Sequence, residues 1–108
     1  MSSSDVKASK ALTATGQLQG FIGDNAGTAT NLGPIRIQSV QAQSSDADAE
    51  IKIYDGTSAS STKLLIHFKF GSAANESFDH YIPNDGVRFK TGAYVVLANC
   101  DFFVVYYN

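Results

Sequence analysis

The feature that most constrains the fold of this 108-residue chain is the run FFVVYY at positions 102–107. Aromatic and β-branched residues favour extended strands. A strand made from a run with no charged or amide position has two apolar faces, and exposure of either face to water is unfavourable. We therefore expect a buried final strand rather than a loose tail. The segment AYVVL at 93–97 is apolar on both faces in the same way. Two such strands predict that another surface covers an outer face of the fold. Self-association is the simplest way to bury that face.

The rest of the chain alternates short runs of strand-forming residues with turn clusters at a spacing of roughly 8 to 15 residues. Apolar positions do not recur at helical spacing over any long window. A chain of this length is expected to form one domain. The sequence therefore predicts an all-β fold, an antiparallel β-sandwich of jelly-roll type with about eight strands, covering residues 11–108.

Alternating polarity gives the clearest predictions in the middle of the chain. Ile51 and Ile53 are predicted to point inward from one strand, with Tyr54 outward. A second strand, at 35–43, changes the parity of its apolar positions near Ser39. An extra residue in one strand of a pair produces such a change, so we expect a β-bulge there.

The N-terminal third carries weaker signals. Residues 10–17 and 19–22 predict short strands interrupted by glycines, and the polar segment 23–33, GDNAGTATNLG, predicts a loop. Residues 1–10 begin with MSSSD and have almost nothing to bury. Such a segment is ordered only when it lies against another surface, so we expect an N-terminal arm on a neighbouring subunit.

Charge and cysteine content exclude several classes of function. The net charge is −2 and the isoelectric point is about 5.5, and the eight Lys and Arg residues are scattered singly, which argues against a nucleic-acid partner. No apolar run approaches the ~20 residues that span a bilayer, and no export signal is evident, so we expect a soluble protein made in the cytosol. The single cysteine, Cys100, permits no internal disulfide and is expected to fill space in the core.

Metal ligands are not indicated. His67 and His80 occupy alternating positions of separate predicted strands, and neither has further ligands at close spacing. Asp46, Asp48 and Glu50 form an acidic cluster, but it lacks the glycine and the regular spacing of a calcium loop. We expect ordinary strand residues and a solvated loop, with no metal and no cofactor. The sequence leaves open which face of its strand His80 occupies.

A catalytic site is not indicated either. Ser77, Asp79 and His80 supply the parts of a hydrolase triad, but no nucleophile elbow or comparable context accompanies them. No pair of carboxylates can be placed across a sugar as glycoside hydrolysis requires. We therefore expect a protein that is not an enzyme, with a small glycan hydrolase as the weakest alternative. The sequence leaves two roles open for Tyr54, Tyr81 and Tyr94. These side chains could stack on sugar rings, or they could pack between subunits.

Two segments, IYDGTSASSTKLLIHF and YIPNDGVRFKTGAYVVLANCDFFVVYYN, resemble small virion proteins of tailed bacteriophages. The shared pattern is a strand ending in a DG turn with a Ser/Thr-rich loop, then IP-x-x-G-[VI]-R-F-x-T-G-x-Y-V-x-L, then a final aromatic and β-branched strand. The match covers residues 35–108. It is carried by Asp55-Gly56, Ile82-Pro83, Gly86-Val87-Arg88-Phe89, Thr91-Gly92, Tyr94-Val95 and Leu97.

The resemblance implies a structural virion protein that is assembled in the host cytoplasm. Proteins of this group look like β-sandwiches that decorate or cement capsids, commonly as trimers, so the implied partners are other copies of the chain and the major capsid protein. It supplies no catalytic residues and implies fold or contact roles for Arg88, Phe89, Gly92 and Tyr94. With the apolar strands and the arm, we expect subunit or capsid contacts at Val6, Lys7, Tyr54, Arg88, Tyr94, Val96, Phe103 and Tyr107.

The main alternative is a receptor-binding or carbohydrate-binding knob of a head fibre or tail. In that case the loops at 23–33, 44–48 and 56–62 would carry the function. They are rich in Ser, Thr, Asn, Asp and Gly, which suits adaptable hydrogen bonding to sugars as well as plain solvated turns.

Overall fold

The computed structural model describes residues 6–21, 29–72, 75–84 and 86–108 and shows an all-β protein. The described residues contain no α-helix and one 3₁₀ turn, Ser61–Lys63. Eleven strands are present among them, several only two or three residues long. They are β1 (Lys7–Ala8), β2 (Gly16–Gln17), β3 (Gln19–Phe21), β4 (Ala29–Asn31), β5 (Ile35–Ser44), β6 (Glu50–Asp55), β7 (Leu64–Lys69), β8 (Ser77–Tyr81), β9 (Val87–Phe89), β10 (Ala93–Ala98) and β11 (Cys100–Tyr107).

The strands form three antiparallel sheets. The largest has the order β1-β11-β5-β8, and β9 pairs with the first part of β5, where β8 does not reach. The second sheet has the order β2-β10-β6-β7, and β3 pairs with β4 in a two-stranded ribbon. The predicted all-β class with antiparallel pairing is therefore confirmed, with more short strands than the sequence predicted.

Both larger sheets contribute buried side chains to a single hydrophobic core cluster. The five-stranded sheet supplies Phe89, Phe103 and Val105, and the four-stranded sheet supplies Ile51 and Ile53, all without exposed surface. Fully burying a large apolar side chain contributes about 1.5–3 kcal/mol. The inward positions of Ile51 and Ile53 are as predicted.

The parity change in β5 is a β-bulge. Tyr106 of β11 pairs with Ser39, and the next residue, Tyr107, pairs with Ile37, so Gln38 is left as the extra residue. Buried positions accordingly switch from Ile37 to the other parity beyond the bulge. The predicted bulge near Ser39 is therefore confirmed.

The two faces of β11 correct part of the predicted contact set. Phe103 has no exposed surface and Tyr107 is 7% exposed, and both belong to the core cluster. The prediction that these two side chains contact another subunit is therefore wrong. Because alternate residues point to opposite faces, Phe102, Val104 and Tyr106 are the outward residues of this strand.

The first described residues lie on the protein's own sheet. β1 pairs with Tyr107 and Tyr106 of β11, and the Ser9 backbone N–H and hydroxyl both bond to the backbone of Val105, at 2.9 and 3.0 Å. Leu12 continues this edge through a bridge to Phe103. Lys7 and Ala8 of the predicted arm thus form an edge strand of the five-stranded sheet, Ser9 bonds to the same strand β11, and Lys10 bonds to Gln19 of β3. Residues 1–5 of the arm lie outside the described residues.

The predicted loop at 23–33 contains a strand that the sequence did not indicate. β4 pairs with β3 in register, and the Gln19 side-chain amide donates to the Asn31 side-chain oxygen at 3.1 Å. This strand, with the sequence ATN, has no large apolar residue, so a hydrophobicity pattern does not reveal it. The loop prediction is therefore corrected for its last part, and residues 22–28 lie outside the described residues.

Asp55 ties the end of β6 to the corner before β10. Its carboxylate accepts hydrogen bonds from the backbone N–H groups of Lys90 at 3.1 Å and Thr91 at 2.9 Å. The N–H of Gly56 in turn donates to the Gly92 carbonyl at 3.1 Å. Desolvation raises the pKa of Asp55, but the backbone donors together outweigh it and hold this pKa below its usual value.

Asp55→Ala is expected to lower the free energy of unfolding by about 1 kcal/mol at neutral pH, because two backbone donors lose a charged acceptor. A carboxyl whose pKa is lower in the folded state stabilises the fold above its unfolded pKa, ~3.9, and loses that effect as pH falls through the folded pKa. The difference from wild type should therefore shrink below about pH 4 in urea titrations at several pH values. Asp101→Ala, at an exposed site, is the control. A difference that persisted unchanged at low pH would contradict the assigned role.

Candidate functional site

An apolar stripe crosses the outer face of the four-stranded sheet. In register, Tyr94 of β10 lies opposite Tyr54 of β6, which lies opposite Leu64 of β7. Leu65 is unpaired at a bulge between Leu64 and the next pair, and Val96 lies two residues along β10 on the same face as Tyr94. None of the five belongs to the core cluster. We call these five residues the apolar stripe.

The members of the stripe differ in exposure. Leu65 is 47% exposed, Tyr94 and Val96 are half-buried, and Tyr54 is only 8% exposed although it lies on the outer face. The 3₁₀ turn lies close to β6. Three predicted contact residues, Tyr54, Tyr94 and Val96, are thus brought together. Tyr54 itself is too buried to stack on a sugar, which corrects that option.

Charged residues of both signs continue the same face beyond the stripe. His67 Nε2 lies 2.8 Å from Glu50 Oε1, and Lys52 Nζ lies 4.0 Å from the same oxygen. Lys69 is the cross-strand neighbour of Glu50. The hydrogen bond from His67 is the largest cause that keeps the pKa of Glu50 below its usual value. These groups are solvated, and they make this end of the face able to meet either charge.

The residues considered for catalysis and for metal binding do not converge. Ser77 and Asp79 lie opposite Gln43 and Gln41 on the outer face of the five-stranded sheet. His80 pairs with Val40 and so lies on the other face of β8, although its side chain is exposed. The His80 ring stacks on Phe78, with ring centroids 6.1 Å apart. Within the part of the chain that the structure describes, no three His, Cys, Asp or Glu residues are grouped to hold a metal ion.

A polar groove lies on the outer face of the five-stranded sheet. It is a cavity of about 170 Å³ whose outward lining is made by Gln41, Gln43, Ser77, Asp79 and Phe102. The Gln41 side-chain oxygen accepts a hydrogen bond from the Tyr106 hydroxyl at 3.2 Å, which fixes its orientation. Tyr81, 71% exposed, lies at the end of β8 on the same face. Amide, carboxylate and aromatic groups therefore share one open surface.

A basic cavity of about 380 Å³ lies at one end of the five-stranded sheet. The structure brings two predicted contact residues, Lys7 and Arg88, into its lining and adds Arg36, which sequence reasoning missed. Val6, next to Lys7 in the chain, is 42% exposed. Arg36 lies opposite Arg88 in the β5–β9 pair, a non-local relation that no local pattern reveals. The remaining lining residues are Pro34, Ile35 and Asn108.

Cys100 lies at the start of β11 and is 7% exposed, so the predicted burial of this side chain is confirmed. Desolvation raises the pKa of the thiol. The thiol donates to the Gln43 carbonyl at 3.2 Å. A buried, protonated thiol with a backbone partner is a packing group rather than a nucleophile.

No helix among the described residues is long and apolar enough to cross a membrane. We find no protein-family model, no curated protein and no solved structure that matches the chain. The stripe, the groove and the basic cavity are therefore the starting points for a functional proposal.

Proposed function

We propose that this chain is a structural protein of a tailed-bacteriophage virion. It would be a decoration or cement protein that binds the outer capsid surface as a homo-oligomer and stabilises the shell without catalysis. In this proposal the two larger sheets are the layers of a jelly-roll-like β-sandwich. The partners are other copies of the chain, with a trimer favoured, and the major capsid protein.

The apolar stripe is the observation that carries the proposal. Leu65, Tyr94 and Val96 keep exposed or half-buried apolar surface on one face of the four-stranded sheet. Aromatic and aliphatic anchors of this kind form the centres of subunit interfaces, with polar residues around them. Rotational symmetry brings the same residues of every copy together near the axis, so an apolar stripe is suited to self-association.

The charged end of the same face supports a second copy as the occupant. Glu50 lies among Lys52, His67 and Lys69, so two copies related by rotation can place the carboxylate of one near the cations of the other. Such pairing gives orientation more than affinity.

The residues of the phage-like pattern have structural roles, which also supports the proposal. The Asp55-Gly56 turn and the Thr91-Gly92 corner bind each other through the Asp55 carboxylate and the Gly56 N–H. Gly86 has a φ of 79°, and a Cβ there would collide with the Ile37 carbonyl. A pattern that specifies turns and corners is what a structural module requires.

Two measurements test this function. The purified chain should sediment with capsids of the phage that encodes it when those capsids lack the protein, and it should raise their resistance to heat or chelators. Quantitative mass spectrometry of virions should find many copies, distributed over the capsid surface. A protein absent from virions, or one that leaves capsid stability unchanged, would refute the proposal.

The second candidate function is carbohydrate binding, which the polar groove favours. Amide and carboxylate groups of Gln41, Gln43 and Asp79 can hydrogen-bond sugar hydroxyls, and exposed aromatic rings such as Phe102 and Tyr81 can stack on sugar faces. A glycan array probed with the wild type and with Gln41→Ala tests it. Few copies per virion together with array hits that the variant loses would favour this function over decoration. An array without hits would count against it.

A further inference from the structure

Both arginines of the chain lie side by side. Arg36 in β5 and Arg88 in β9 are directly opposed in antiparallel register, although 51 residues separate them in the sequence. The N–H and carbonyl of Arg36 both bond to Asn108, at 2.9 and 3.0 Å, and so point away from β9. The Arg36–Arg88 pair is therefore of the non-hydrogen-bonded type, in which opposed side chains come closest.

This arrangement is unfavourable unless something neutralises it. Like charges placed directly opposite each other in a sheet destabilise it. Within the described part of the chain, neither guanidinium has an ion-pair or hydrogen-bond partner. The net charge of the chain is negative. A general excess of basic residues therefore does not explain why the two arginines lie opposite each other.

The surroundings of the pair form a concave site. Arg36 and Arg88 line the cavity of about 380 Å³ together with Lys7 and Asn108, and a main-chain oxygen of Asn108 accepts a hydrogen bond from the Arg36 N–H at 2.9 Å. Pro34 and Ile35 complete the lining. Three cationic side chains on one concave surface concentrate ions of the opposite sign.

We propose that this basic cavity binds a tetrahedral oxyanion, a phosphate or sulfate group. A guanidinium presents a planar fork of donors that matches the oxygens of such a group, and two forks with a neighbouring ammonium fit a doubly charged anion better than a single carboxylate. Binding relieves the repulsion between the arginines, which explains why the pair is tolerated. The proposal goes beyond the virion function and does not depend on self-association.

The test uses the fact that the chain has two arginines. In ¹H–¹⁵N spectra, their side-chain Nε–H groups give two signals that report on this cavity alone. Titration with sodium phosphate or sodium sulfate should shift both signals to saturation, whereas sodium chloride at the same ionic strength should not. Equal shifts in chloride, or shifts that never saturate, would overturn the proposal.

Variants separate a binding role from a structural one. Arg36→Gln and Arg88→Gln are each expected to weaken phosphate binding ~10-fold, and the double variant should abolish it. Lys69→Gln, which removes a cation from the other sheet, should leave the affinity unchanged. In chloride, each arginine variant should melt at the same temperature as the wild type or higher, since the repulsion is gone. Phosphate should raise the melting temperature of the wild type but not of the double variant.

Two further ligands identify the source of the group. A sulfated disaccharide that binds more tightly than inorganic sulfate places the oxyanion on a sugar, and equal affinity for both indicates the free anion. Either result supports the site. Arginine variants that lose stability in chloride, or a double variant that still binds phosphate, would show that the pair serves the fold instead.

Discussion

Replacing Phe103 with alanine is expected to lower the free energy of unfolding by about 3–5 kcal/mol, the range typical of large-to-small changes at buried aromatic sites. Phe103 has no exposed surface and belongs to the hydrophobic core cluster to which both larger sheets contribute. The same substitution at its neighbour Phe102, which is 36% exposed, is expected to cost less than about 1 kcal/mol. The two variants remove the same atoms from adjacent positions, so their difference isolates the orientation of β11.

Urea unfolding followed by far-ultraviolet circular dichroism measures both values. The slope of free energy against urea should stay at the wild-type value, which shows that the transition remains two-state. Phe103→Leu, which restores most of the lost volume, should recover a large part of the stability. Equal losses at both positions, or a larger loss at Phe102, would contradict the assigned faces of β11.

This strand also shows where sequence alone stops. In β5 an inward Ile37 is flanked by polar neighbours, so alternation located both the buried face and the bulge. In β11 the two faces are almost equally apolar, and alternation carries no information about which one is inward. From the sequence, Phe103 and Tyr107 could therefore lie on either face of β11. Only the pairing of β11 with β5 determines which face is buried.

Non-local pairing accounts for most of the other differences. The short strand β4 is polar and exists because β3 supplies backbone partners. β1 pairs with β11, which lies near the opposite end of the sequence, and no local sequence signal specifies that partner. The basic cavity formed by Arg36 and Arg88 could not be predicted for the same reason. Each arginine alone resembles any other outward residue, and only the β5–β9 register places the two opposite each other.

The outer face was predictable in part. Tyr94 and Val96 were predicted as contact residues although β10 is apolar on both faces, and their register on β6 places them on the outer face with Tyr54. The contribution of Leu65 depends on the bulge in β7, which the sequence does not indicate. The burial of Tyr54 depends on its neighbours on the same face, which cross-strand register determines.

Replacing Leu65 with glutamate is expected to weaken self-association by at least ~100-fold, because symmetry would bring several like charges together in an apolar interface, at a cost of several kcal/mol. The monomer should keep its fold, since Leu65 is 47% exposed and lies outside the core cluster. Light scattering should give three times the 11.5 kDa chain mass for the wild type and the single-chain mass for the variant.

Tyr81→Glu is the matched control, since it places the same charge at a 71% exposed apolar residue on the other sheet. This variant should remain oligomeric. If it becomes monomeric while Leu65→Glu does not, the interface lies on the five-stranded sheet and the apolar stripe loses its role. If the wild type is a monomer over a wide concentration range, self-association is refuted. A Tyr81→Glu protein that stays assembled yet loses glycan binding would instead place assembly and sugar recognition on opposite faces of one domain, because the stripe and the groove lie on different sheets.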